Sequence, residues 1–226
     1  MPNGDRAALF NGATQYLSVP SKPSLSIPTT GNLTWEVWIQ PTVLDFPNNS
    51  NGYVAYMGKC ASYKEPICEW EARMYNADSD RSNRLSAYAF NPIAPSGSDT
   101  NYGSGAFWQP TDGLLKPGQW LHVVGEYTTH NTTQNQHQTP CLNASIYPGT
   151  IDIWVNGVKW DQASHGQTGC MSQYSVKPKA NNSPLNIATM AYDSWFKGAI
   201  GKVAIYDYLL TDPQIKSHYQ AMTPGK

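Results

Sequence analysis

Phe196-Lys-Gly198-Ala-Ile200-Gly-Lys-Val203-Ala-Ile205-Tyr206-Asp207-Tyr-Leu-Leu210-Thr-Asp-Pro-Gln-Ile215 is the stretch that decides the fold. A turn glycine opens a run in which Ile200, Val203 and Ile205 recur before Tyr206-Asp207. Period-two hydrophobicity marks a strand with one buried face. A helix start follows, with Thr211 or Asp212 as N-cap and Pro213 at the first helical position. The other end of the chain mirrors this. Ala8-Leu9-Phe10 leads through Asn11-Gly12, a hairpin turn, into Tyr16-Leu17-Ser-Val19-Pro20. The two ends predict a β-sandwich that opens and closes within one chain.

Between the ends, strands alternate with turn-rich segments. The expected strands are 7–11, 15–19, 33–40, 52–58, 68–75, 83–90, 120–128, 151–155, 184–190 and 199–207. Helical periodicity is confined to 212–221. Residues 41–51, 91–117 and 129–149 read as long loops, a class that is usually functional or disordered. In the second of them Tyr102, Phe107 and Trp108 interrupt a Gly/Ser tract.

The 226 residues fit a single all-β domain spanning 1–226, and no composition shift divides them. Net charge is −1 with 14% charged residues, which argues against nucleic acid or an anionic membrane as partner. Trp and Tyr number 8 and 14, and such rings with polar tips suit half-exposed binding faces. No apolar run is long enough for a membrane span. Met1-Pro-Asn-Gly-Asp5 carries no apolar signal region.

Four cysteines, Cys60, Cys68, Cys141 and Cys170, lie in polar surroundings without C-x-x-C spacing, so zinc is disfavoured. Disulfides are the natural reading, and they imply an oxidising compartment, secreted or at the cell surface. Three pairings satisfy the count. The local one, Cys60–Cys68 and Cys141–Cys170, is expected because each pair brackets a hairpin or an insertion. N-x-S/T sequons begin at Asn32, Asn48, Asn131, Asn143 and Asn181 and mark candidate glycan sites only in a eukaryotic host.

Four segments in order carry a family resemblance. They are the Phe10-Asn-Gly12 to Pro20 opening, Thr34-Trp-Glu36-Val-Trp38-Ile39-Gln-Pro41, Trp120-Leu-His122-Val123, and Ile151-Asp-Ile-Trp154-Val155-Asn156-Gly157. The set resembles the laminin-G-like, concanavalin A-like lectin/glucanase jelly rolls, which are related to pentraxins. The resemblance implies an all-β, two-sheet antiparallel β-sandwich of jelly-roll type with one short C-terminal helix. One fold hosts many functions, so it does not name a ligand.

Cys68-Glu69-Trp70-Glu71-Ala72-Arg73-Met74-Tyr75 is the sharpest chemical feature. Alternation sends Trp70, Ala72 and Met74 to the core and Glu69, Glu71, Arg73 and Tyr75 to the other face. Asn83–Phe90 repeats the pattern, with Arg84, Ser86, Tyr88 and Phe90 outward. Such a strip suits sugar: planar polar groups hold hydroxyls and rings stack on apolar sugar faces. Expected ligand contacts are Glu71, Arg73 and Tyr88, with Tyr102 and Trp108 folding over them from the loop, and Asp193 and Trp195 as the alternative site.

Two carboxylates two residues apart on a strand also fit a glycosidase. Laminarinase-type glucanases of this fold carry E-x-D-x-E on a strand. Here the frame reads Glu69-x-Glu71-x-Arg73, with arginine in the acid position. No catalytic residue is assigned. Calcium is an open cofactor, because many relatives bind it with loop carboxylates. Asp193 and Ser194 match the pentraxin-like ligand string, its earlier positions do not, and Lys202 adds an opposing charge. His122 is expected to be structural.

The reading that follows is a secreted or surface-displayed, lectin-like carbohydrate-binding module without catalytic activity. The alternatives are a protein-binding adhesion or structural module and, third, a polysaccharide-degrading glycoside hydrolase or lyase of the same fold.

Overall fold

The two ends of the chain pair with each other, Ala8 opposite Ile200 and Phe10 opposite Gly198. The computed structural model describes residues 1–60, 68–91, 102–110, 115–129, 150–160, 178–191 and 193–223. In chain order its strands begin with β1 Ala8–Asn11, β2 Leu17–Val19, β3 Asn32–Pro41, β4 Tyr53–Cys60 and β5 Cys68–Tyr75. They continue with β6 Leu85–Asn91, β7 Tyr102–Trp108, β8 Leu121–Thr128, β9 Thr150–Val155 and β10 Val158–Lys159. The last are β11 Leu185–Ile187, β12 Thr189–Met190, β13 Ser194–Trp195 and β14 Lys197–Tyr206. Helix α1 is the short turn Ile27–Thr30, and α2 is Asp212–Met222.

The strands form two antiparallel six-stranded sheets. The first runs β1-β14-β3-β8-β9-β10 and the second β2-β11-β4-β5-β6-β7, while β12 and β13 make a separate hairpin. Every strand expected from the sequence is present. Strand β7 is an addition, lying in the expected 91–117 loop. Its Gly and Ser residues read as loop because they are poor strand formers, yet an edge strand tolerates them.

The inner faces close on one core. Trp35, Val37 and Ile39 of β3 meet Trp70, Ala72 and Met74 of β5 and Leu85, Ala87 and Ala89 of β6. Trp35 donates its indole N–H to the Tyr127 hydroxyl at 2.9 Å. Its cross-strand neighbour is Gly125, where a Cβ would sit 2.3 Å from the indole ring. The ring therefore needs that strand position to be glycine.

Each outer face is covered in part. Helix α2 covers the first sheet. Its start matches the sequence reading: Gln214 Oε1 accepts from the Thr211 N–H at 2.8 Å, and Pro213 sits at the first turn. Ile215 packs with Val124, Trp154 and Leu210. Beneath the helix, the Glu36 carboxylate accepts from His122 Nε2 at 2.7 Å, His218 Nδ1 at 3.0 Å and the Tyr206 hydroxyl at 3.2 Å. Burial alone pushes Glu36 up, but these histidine contacts outweigh it and hold the carboxyl below its usual range. His122 is fully buried.

Glu126, on the same face, accepts from Trp154 Nε1 at 2.8 Å through one oxygen. Its other oxygen has no hydrogen-bond partner among the described residues. Burial pushes its pKa from an ordinary 4.5 to about 7.

Gly125→Ala should lower stability by about 3 kcal/mol, the upper end for an overpacked core, read from the urea midpoint. Glu126 binds its proton more tightly in the folded chain, so its contribution is complete below pH 4.5 and is lost as pH rises through about 7. The loss amounts to about 3 kcal/mol. Urea titrations from pH 5 to 8 should show wild type weakening relative to Glu126→Gln, and parallel curves would refute the assignment.

Candidate functional site

The outer face of the second sheet carries the strip expected from the sequence. Register places Gly58, Glu71 and Tyr88 in one cross-strand row, and Ala55, Arg73, Ser86 and Phe107 in the next. Arg73 Nε donates to Glu71 Oε2 at 2.6 Å. The guanidinium carbon lies 4.2 Å from the Tyr53 ring centre, 4.4 Å from Tyr88 and 5.2 Å from Phe90. Contacts of this kind add about 2 kcal/mol when desolvated. Arg81 Nη1 donates to the Tyr75 hydroxyl at 3.1 Å, which lies 3.2 Å from that of Tyr88. Burial pushes the Tyr88 hydroxyl up, reinforced by Tyr75. Arg84 stacks 3.9 Å over Phe107 and donates twice to Gln109 Oε1.

Alternation thus groups Glu71, Arg73 and Tyr88 correctly, but the strip is not solvated. Glu71 is 0% and Arg73 7% exposed. The β12–β13 hairpin crosses this face, and its Met190 packs with Ala55, Tyr75, Tyr88 and Phe90. Half-exposed groups form the rim at one end of the sheet: Tyr53, Arg81 and Arg84, with exposed Asp193 nearby.

Glu69 departs from the expected face. Lys59 pairs with Trp70 and Cys60 with Cys68, so Glu69 is the extra residue of a bulge. Its carboxylate accepts from the Ile27 N–H at 2.6 Å and pairs with Lys59 at 3.0 Å, both side chains fully buried. The bulge separates Glu69 from Glu71, so the two carboxylates do not share one face.

Trp108 also departs from expectation. It lies opposite Leu85 on the inner face, packed against the core and edge-on to Trp160 at 6.1 Å. Phe107 takes the outer position instead. Tyr102 begins β7 opposite Asn91, on a strand and not in a loop.

Asp193 and Trp195 sit on the hairpin that crosses the strip. Asp193 Oδ2 accepts from the Ser50 hydroxyl at 3.3 Å. The Trp195 ring meets Tyr16 edge-on at 6.1 Å. Ala188 and Ala191 beside them hold left-handed backbone, φ 69° and 48°. Each costs an alanine about 1–2 kcal/mol, and such strain gathers at functional sites.

Sequence reading passed over Tyr53. Tyr53 was legible in principle, because it pairs with Tyr75 once β4 and β5 are aligned. Cys60 and Cys68 form a disulfide. Cys141 and Cys170 lie outside the described residues. Two sequon asparagines are spent internally, Asn48 donating to the Gly12 carbonyl and Asn181 accepting from Lys59. Among the described residues, no three His, Cys, Asp or Glu side chains gather as metal ligands. No described helix is long and apolar enough to cross a membrane.

Solved structures share this fold. The binding domain of Paraclostridial Mosquitocidal Protein 1 matches with TM-score 0.58 at 13% identity, over 97% of this chain and 44% of its own. The binding domain of botulinum neurotoxin DC, solved with rat synaptotagmin II, matches with TM-score 0.57 at 12% identity, over 96% and 45%. Domain 4 of an extracellular arabinanase from Geobacillus stearothermophilus, solved with arabinotriose, gives TM-score 0.47 at 15% identity, over 95% and 76%. The chain spans under half the length of the two toxin domains. No curated relative matches it by sequence. The Laminin_G_3 family model, described as concanavalin A-like lectin/glucanases superfamily, matches residues 11–216, and the chain belongs to that family.

Proposed function

We propose that this chain is a non-catalytic, extracellular carbohydrate-binding module that uses the outer face of its second sheet. One observation carries the reading: at one end of this face Tyr53, Arg81 and Arg84 stay half-exposed, with Arg84 stacked on Phe107 and Arg81 bonded to the Tyr75 hydroxyl. Planar donors held in this way are preorganised, so little entropy is lost when a ligand docks on them. Tyr53, Arg81, Arg84 and Asp193 give the rim both donors and acceptors, with a ring for the apolar side of a sugar. The charges of that rim are mixed, which fits a polyhydroxyl ligand. The Cys60–Cys68 disulfide supports an extracellular setting. Withdrawal of Glu69 into its pair with Lys59 supports binding without hydrolysis.

A glycan array run with and without calcium would find the ligand, and titration of the best hit would test the site. Tyr53→Ala and Arg81→Ala, at half-exposed positions, should each weaken affinity by about 1–3 kcal/mol while the fold persists. Arg73→Ala should instead cost about 3 kcal/mol of stability, because it breaks a buried ion pair. Wild-type affinity in both rim variants would exclude this face.

A further inference from the structure

The geometry points to a carboxylate subsite at the Arg81 end of this rim, fitted to an acidic sugar. The inference rests on the carbohydrate-binding reading and adds a ligand class to it.

Arg81 and Arg84 share the turn between β5 and β6, where the Arg84 N–H donates to the Arg81 carbonyl at 3.1 Å. The Arg81 side chain is 42% exposed, so the subsite is open to solvent. Its Nη1 donates to the Tyr75 hydroxyl at 3.1 Å, and its guanidinium carbon lies 5.5 Å from the Tyr75 ring centre. The Nε–Nη2 edge of the fork donates to no acceptor among the described residues. Asp80 approaches Nε only to 3.9 Å and is itself 85% exposed. Such a pair is weak, because water screens it. A carboxylate fits the same edge with two parallel hydrogen bonds.

The charge at this end favours an anion. Burial pushes the Tyr75 phenol up, yet Arg73, the bond with Tyr88 and Arg81 outweigh it and hold the phenol below its usual range. A buried phenol shifted that way sits in positive potential. Burial likewise pulls the Arg84 guanidinium down, and the neighbouring Arg81 charge adds to the effect. Glu71 is already committed to Arg73. Asp45, Asp78 and Asp193 are exposed, and their fields are screened by water. An anion bound between solvent and Arg81 relieves the repulsion between the two arginines.

A ring stands beside the fork. Tyr53 is half-exposed, and its ring centre lies 5.3 Å from that of Tyr75. Tyr75 therefore touches both the ring that can stack on a sugar and the guanidinium that can hold its carboxylate. A neutral sugar would use the ring alone and leave the fork to water.

The test is calorimetry on the whole chain with two matched pairs: trigalacturonate against its methyl ester, and 3′-sialyllactose against lactose. In one pair or both, the acid should bind tighter than its neutral counterpart by about tenfold or more. That margin should shrink as salt rises. A margin in the first pair assigns a uronate, and one in the second a sialic acid. Arg81→Gln should keep Tm within about 2 °C, since the position is half-exposed. Its margin should fall below about threefold. Arg81→Lys should fall between the two, because an ammonium keeps the charge without the planar fork. Equal wild-type affinity for acid and neutral partner overturns the subsite and leaves the carbohydrate reading standing, as does binding of other glycans but neither acid. A margin undiminished in folded Arg81→Gln also overturns the subsite. Failure of wild type to bind any glycan defeats the carbohydrate reading itself.

Discussion

A polar side chain taken out of water must find a partner inside the protein, and that requirement shapes both outer faces of this sandwich. Alternation along each strand sends every second residue away from the core. Helix α2 then covers one outer face and the β12–β13 hairpin crosses the other. Groups that an open sheet would solvate are bound internally: Glu36 by two histidines and a tyrosine, Arg73 by a carboxylate and rings.

The exceptions carry the information. Lys59 and Glu69 form a fully buried pair that also binds the Ile27 N–H, tying the segment before β3 to the second sheet. Such a pair is weak evidence for stability, since desolvation offsets its attraction. It does fix where the bulge in β5 falls, and so which residues share a face with Arg73.

The two faces also divide the labour. Under α2, aromatic stacking of Trp38, His122 and Tyr219 joins the Glu36 cluster in a closed, structural interface. On the second sheet, the rim stays half-exposed and the neighbouring backbone is strained at Ala188 and Ala191.

Much of the fold was legible in the chain. Period two in Trp70-Glu71-Ala72-Arg73-Met74, the turn glycines, and the Pro213 helix start follow from local sterics, which neighbours in sequence suffice to determine. The grouping of Glu71, Arg73 and Tyr88 followed for the same reason. What alternation could not supply was which face is covered, because cover comes from segments distant in sequence, Met190 over Tyr88 or Ile215 over Trp154. Nor could it foresee the bulge at Glu69, which reverses the parity of a strand by one residue. Trp108 shows the same limit: its side is set by pairing with Leu85, a contact the glycine-rich run around it did not announce. Sequence alone determined which residues travel together on a strand; tertiary structure decided which of them meet water, because burial depends on what packs above a face and no local pattern encodes that.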